Sequence, residues 1–133
     1  MQSLSSSPAA RASALTAGIW ALAGVQLVIG LSQVLTPGSF YDAVANFGPR
    51  NDHFLRDVAS YYLASAVALA VAARRPAWRA PVLALVGVQY LLHTIGHIAD
   101  SGKADPSWVG PFDVATLAIG VVLIGGLYRE ASR

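Results

Sequence analysis

The sequence predicts an all-α fold, an antiparallel bundle of four transmembrane helices, and three observations carry that prediction. Of the 133 residues, 55% are hydrophobic and only 12% are charged, against about 25% charged in a typical soluble domain. The mean hydropathy of +0.53 comes from four apolar runs, each long enough for the roughly 30 Å hydrocarbon core of a bilayer. Alternate ends of those runs collect opposite charge.

Taken in order, residues 1–14 are small and polar with one charge, Arg11, and read as a flexible N-terminal tail. Residues 15–35 hold no charged side chain in 21 positions and form the first span. That run exceeds the apolar region of a signal peptide, about 7 to 15 residues, and continues into Thr36-Pro37-Gly38 rather than a cleavage site. Two prolines, two glycines and mixed charge then make a loop, with an interfacial turn around residues 40–47. Asn51 or Asp52 can cap the second span, 53–73, by accepting from its unpaired first-turn N–H groups. A short basic loop after Arg74-Arg75-Pro76 leads to Pro81, whose fixed φ suits the first turn of the third span, 82–100. Gly102 stops that helix, Pro111 opens the fourth span at 112–128, and residues 129–133 form a polar C-terminal tail. The membrane domain is therefore 15–128.

One set of ends carries six arginines and one glutamate, the other three basic residues and six aspartates. By the positive-inside rule, six basic residues against three place both termini in the cytoplasm of a multi-pass plasma-membrane protein. All three histidines and all six aspartates then lie at or near the external ends. The partners expected are the lipid bilayer and other membrane subunits or further copies of the chain. A net charge of +2 without a basic tract offers no path for a nucleic-acid backbone. The absence of cysteine excludes disulfides, thiolate ligands and thiol nucleophiles. Trp20, Trp78, Trp108, Tyr41 and Tyr128 read as interfacial anchors, and Gly24, Gly30, Gly120, Gly125 and Gly126 as sites of close helix packing.

Chemistry concentrates on the third span, where Gln89, His93, His97 and Asp100 recur at spacings of four, four and three on one stripe. The second span adds Asp57, Tyr61 and Ser65 with Ser60 beside them, the fourth Asp113 and Thr116, and the first Gln26 and Gln33. Ionisable groups in a span are costly unless they face a bundle interior, so these stripes are expected to turn toward each other. As a metal site, His93 and His97 share one ion, with Asp57, Asp100, Asp113 or His53 as third ligand. The glutamate that a zinc protease needs after its first histidine is replaced by Thr94. As structure, the same histidines are interhelical hydrogen-bonding groups paired with Asp57 and Asp100. The catalytic candidates are Asp57, His93 and His97; the ligand contacts are Tyr61, Gln89 and Asp113; the cofactors admitted are a divalent metal or a quinone. Arg56 reads as a snorkelling interfacial residue.

A loop bearing NDHFLRD, a second span ending in AARRPAWR and a third ending in HTIGHIAD together resemble the small four-helix DoxX-like membrane proteins, particularly uncharacterised actinobacterial ones, over most of residues 15–128. The resemblance implies a four-helix bundle and, for the group's namesakes, association with quinone-linked sulfur oxidation. No quinone or thiosulfate motif carries over residue by residue. Three functions compete: a His/Asp pocket near the external face for a metal, quinone or small lipophilic ligand, with a redox link; a non-catalytic accessory or oligomerising subunit; and a metal-dependent hydrolase using Ser60 or a metal-bound water.

Overall fold

A computed structural model of the chain describes residues 7–133. The regular elements are α1 (Pro8–Leu35), the short α2 (Pro37–Phe40) running into a wide turn at Tyr41–Ala45, α3 (Asp52–Arg74), α4 (Pro76–Asp100) with a tight turn at Ser101–Lys103, and α5 (Val109–Ala131); the described residues contain no strand. The four long helices are each long and apolar enough to cross a membrane. The protein is an all-α, multi-pass membrane bundle.

Helix ends follow local chemistry, and several differ from the boundaries expected above. Ser7 accepts a hydrogen bond from the Ala10 N–H at 3.2 Å, and Pro8 occupies the first helical position. Residues 8–14 therefore belong to α1 rather than to a tail, and 1–6 lie outside the described residues. Asn51 caps α3 as expected, its Oδ1 accepting from the Phe54 N–H at 3.1 Å. The basic loop leading to Pro81 shrinks to the single residue Arg75, because Pro76 already opens α4 and Pro81 sits inside that helix. Val109 starts α5 ahead of Pro111, and the helix runs on to Ala131 through most of the C-terminal tail.

The helices form two hairpins. α1 packs chiefly on α3 and α4 chiefly on α5; the hairpins meet mainly through α3 and α4. Toward the basic end the interior is apolar, built from Leu15 and Ile19 of α1, Leu69 of α3, Leu83 and Val86 of α4 and Ile124 of α5. Arg79 closes that end: its guanidinium donates to the carbonyls of Ala72 and Ala73 at 3.3 and 3.2 Å and to Thr16 Oγ1 at 2.9 Å. It thus caps the C-terminus of α3 and ties it to α1.

Polarity is inverted relative to a soluble bundle. Val122 and Leu35 are 74% and 72% exposed, whereas Gln26 and Gln33 are 0% and 1% exposed. Lipid favours this arrangement, since it solvates apolar side chains and offers polar ones nothing. Two of the five glycines expected to allow close packing do so: a Cβ on Gly30 would meet Leu63 at 2.8 Å and one on Gly120 the Tyr90 ring at 2.7 Å. Gly24, Gly125 and Gly126 face open space, while Gly18, against Leu127, Gly38, against the Arg50 guanidinium, and Gly110, against the Ser101 backbone, are close approaches that were not expected.

Candidate functional site

The polar interior begins halfway along the bundle. Tyr90 and Thr94 point inward from α4, and Gln26 of α1 donates from Nε2 to the Tyr90 hydroxyl at 3.1 Å, a bond between the two hairpins. Thr94 donates to the Tyr90 carbonyl of its own helix at 2.7 Å. Beyond them, toward the acidic end, the His93 and His97 rings meet edge to face at 4.6 Å. His97 Nδ1 lies 3.7 Å from Oδ2 of Asp113 on α5, with the two side chains only 19% and 8% exposed. That distance is longer than a hydrogen bond. His97 Nδ1, Asp113 Oδ2, Tyr61 OH and the Oε1 atoms of Gln26, Gln33 and Gln89 are all buried without a protein hydrogen-bond partner. Buried polar groups left unpaired cost about 1–3 kcal/mol each, so these atoms leave hydrogen-bonding capacity unmet inside the bundle.

Two loops roof the cluster on its aqueous side. Phe47 presents an edge contact to the His97 ring at 4.9 Å. Its loop is held by the Tyr41 hydroxyl, which lies against Asn46 Oδ1 at 2.7 Å and against the Gly48 carbonyl. It is latched to the α4–α5 connection by the Asp105 N–H donating to the Asn46 carbonyl at 3.1 Å. Gly48, at φ +139°, takes a conformation that favours glycine. Tyr41 is thus a loop brace rather than a free interfacial anchor. In the first turn of α5, Gly110 lets the Ser101 carbonyl approach to where a Cβ would stand 1.9 Å away. Asp113 follows three residues later and faces His97.

On the side, α4 is open. A groove of about 320 Å³ runs along it, lined by Leu85, Val88, Gln89, Leu92 and His93. Leu85, Val88 and Leu92 are 57–63% exposed, so the groove is a shallow, open apolar strip on the outward face of one helix, with Gln89 and His93 beside it.

The residues singled out from the sequence divide accordingly. His93, His97, Asp113, Tyr61 and Gln89 border or enter the interior. Asp57 does not: it is 65% exposed and faces His53 at 3.5 Å on the outer side of α3, and no ion pair joins it to His93 or His97. Each step of four residues turns about 40° around a helix, so Asp57 lies about 80° from Ser65, which is buried. Asp100 is spent on Lys103 at 2.6 Å. The expected metal set of His93, His97, Asp57, His53 and Asp100 therefore does not assemble. The described residues contain no group of three or more His, Cys, Asp or Glu side chains placed to hold an ion. Ser60 and Thr116 are exposed and donate to carbonyls of their own helices, Asp57 O at 2.6 Å and Asp113 O at 3.0 Å. The hydrolase reading loses its serine nucleophile. Tyr90, Phe47 and Arg79 were not foreseen as site or junction residues. Tyr90 could have been found from its place four residues before Thr94, whereas no local signal marks Phe47.

Four spans around a one-sided polar interior define a small multi-pass membrane protein with a membrane-embedded polar cluster. The chain matches, over residues 14–128, the family described as Domain of unknown function (DUF4345), and it belongs to that family. No curated protein and no solved structure matches it.

Proposed function

We propose that the protein sits in the plasma membrane with both termini cytoplasmic and binds a small amphiphile, a lipophilic molecule with a hydrogen-bonding head, on α4. One observation carries this reading: the shallow apolar strip of Leu85, Val88 and Leu92 on the outward face of α4, with Gln89 and His93 beside it. The walls suit a hydrocarbon chain, and Gln89 and His93 offer hydrogen bonds to its head. The unpaired atoms of Gln89, Tyr61, His97 and Asp113 add hydrogen-bonding capacity behind them. Phe47 and the latched loops cover His97 from the water side, which favours access from the bilayer. Quinones are the first amphiphiles to try, because their ring oxygens accept from amide and imidazole donors. The six-to-three bias in basic residues supports the orientation.

The test is thermal unfolding in lipid nanodiscs with a short-chain quinone and its hydroquinone. At a ligand concentration 100-fold above Kd the expected stabilisation is about 2.7 kcal/mol. Gln89→Leu and His93→Leu should remove it, while Val122→Ala, on the exposed face of α5, should keep it. Equal stabilisation of all four proteins contradicts the site. If no amphiphile acts and the two α4 variants instead change the oligomeric state, the stripe is a packing seam and the accessory-subunit reading replaces this one.

A further inference from the structure

We infer that the basic end of the bundle, opposite the α4 groove site, holds the phosphate headgroup of an anionic phospholipid between Arg74 and Arg75, with Trp20 and Trp78 seating it at the membrane surface. The basic end contains six arginines and one carboxylate, Glu130, which is engaged by Arg133 at 2.8 Å. Arg79 is turned inward, with three of its five N–H donors committed to two carbonyls and a hydroxyl. Arg74 and Arg75 are different. Both are exposed, and among the described residues no carboxylate pairs with either.

Their position is fixed rather than trailing. Arg75 alone separates α3 from α4, and the Arg79 staple at Ala72 and Ala73 holds the turn from inside. Arg74 stacks over the Trp20 ring at 5.3 Å, which orders a guanidinium that would otherwise be free. Trp78, in the first turn of α4, and Trp20, beside Arg74 on α1, are 49% and 41% exposed, and indoles favour headgroup depth. The Arg74 guanidinium, held over Trp20, and that of Arg75, free to turn toward it from the adjacent residue, suit a phosphodiester, which guanidinium groups grip through paired N–H donors. A lipid is favoured over a soluble phosphate because the ligand must enter between indoles at the boundary of helices whose outer faces already demand hydrocarbon.

Native mass spectrometry of the detergent-released protein reads this directly. Supplied with phosphatidylglycerol or with phosphatidylcholine, the wild-type chain should retain the anionic lipid preferentially. Arg74→Gln with Arg75→Gln should lower that retention by roughly fivefold or more. Arg56→Gln, at the opposite end, should leave it unchanged. If the double variant does not purify, Arg75→Gln alone serves, because the Arg75 side chain is exposed and makes no ion pair or side-chain hydrogen bond among the described residues. Equal retention by wild type and variants, or no preference over phosphatidylcholine, overturns the proposal. Displacement of the lipid by inorganic phosphate at comparable concentration overturns the lipid source and leaves a soluble-anion site. None of these outcomes touches the α4 groove, so the two sites stand or fall separately.

Discussion

Asp113 and Gly110 are the residues whose environment most changes what the sequence suggests. In the sequence, Asp57 is the more conspicuous acid because it precedes Tyr61 and Ser65 on an apparent stripe. In the fold, the angular drift of that stripe puts it on the outer surface with His53, and Asp113 is the buried carboxylate that faces a histidine. Imidazole resonances should report this: Asp113→Asn is expected to move those of His97, and Asp57→Asn those of His53 only. Movement of His97 by Asp57→Asn would restore the original pairing. Glycine positions are equally opaque to inspection, since Gly24 and Gly110 look alike until their surroundings are known. Gly110→Ala drives a Cβ into the Ser101 carbonyl, a backbone atom that cannot rotate aside, and should cost about 1–3 kcal/mol or prevent folding. Gly24→Ala meets nothing within 4 Å in mid-helix and should be neutral or stabilising by about 0.5–1 kcal/mol. Thermal melts of the two variants decide it.

Among the elements, the spans were legible because each apolar run declares its own length, whereas the ends were not. The segment RRPAWRAP reads as a loop by its prolines and arginines, yet a proline at the first helical position is compatible with a helix, and Arg79 satisfies the carbonyls that the one-residue turn leaves exposed. Ser7 and Pro8 carried a helix-start signal of the ordinary kind, outweighed in the sequence by the small polar residues around them. Arg79→Ala should destabilise the bundle by about 1.5–3 kcal/mol, the range for hydrogen bonds made by a charged donor. Arg79→Lys should recover part of that loss, because an ammonium lacks the planar fork that reaches three acceptors. Full recovery by lysine would mean that charge at this end matters and geometry does not.

At the level of the whole molecule, two hairpins hold an apolar half toward the basic end and a polar half toward the acidic end. This division was foreshadowed by the charge segregation, but the lateral pairing of α1 with α3 and α4 with α5 depends on side-chain fit that no single span reveals. Reporter fusions after Arg75 and after Lys103 are expected to mark the cytoplasmic and external sides respectively; the reverse would invert the bundle and place the polar half inside. The amphiphile site is tested most directly by crosslinking. A quinone analogue bearing a photoreactive diazirine on its ring, activated in nanodiscs and mapped by peptide mass spectrometry, should label α4 within residues 85–97 and lose that label in His93→Leu. Labelling spread over the exposed apolar faces of α1 and α5, unaffected by His93→Leu, would contradict it.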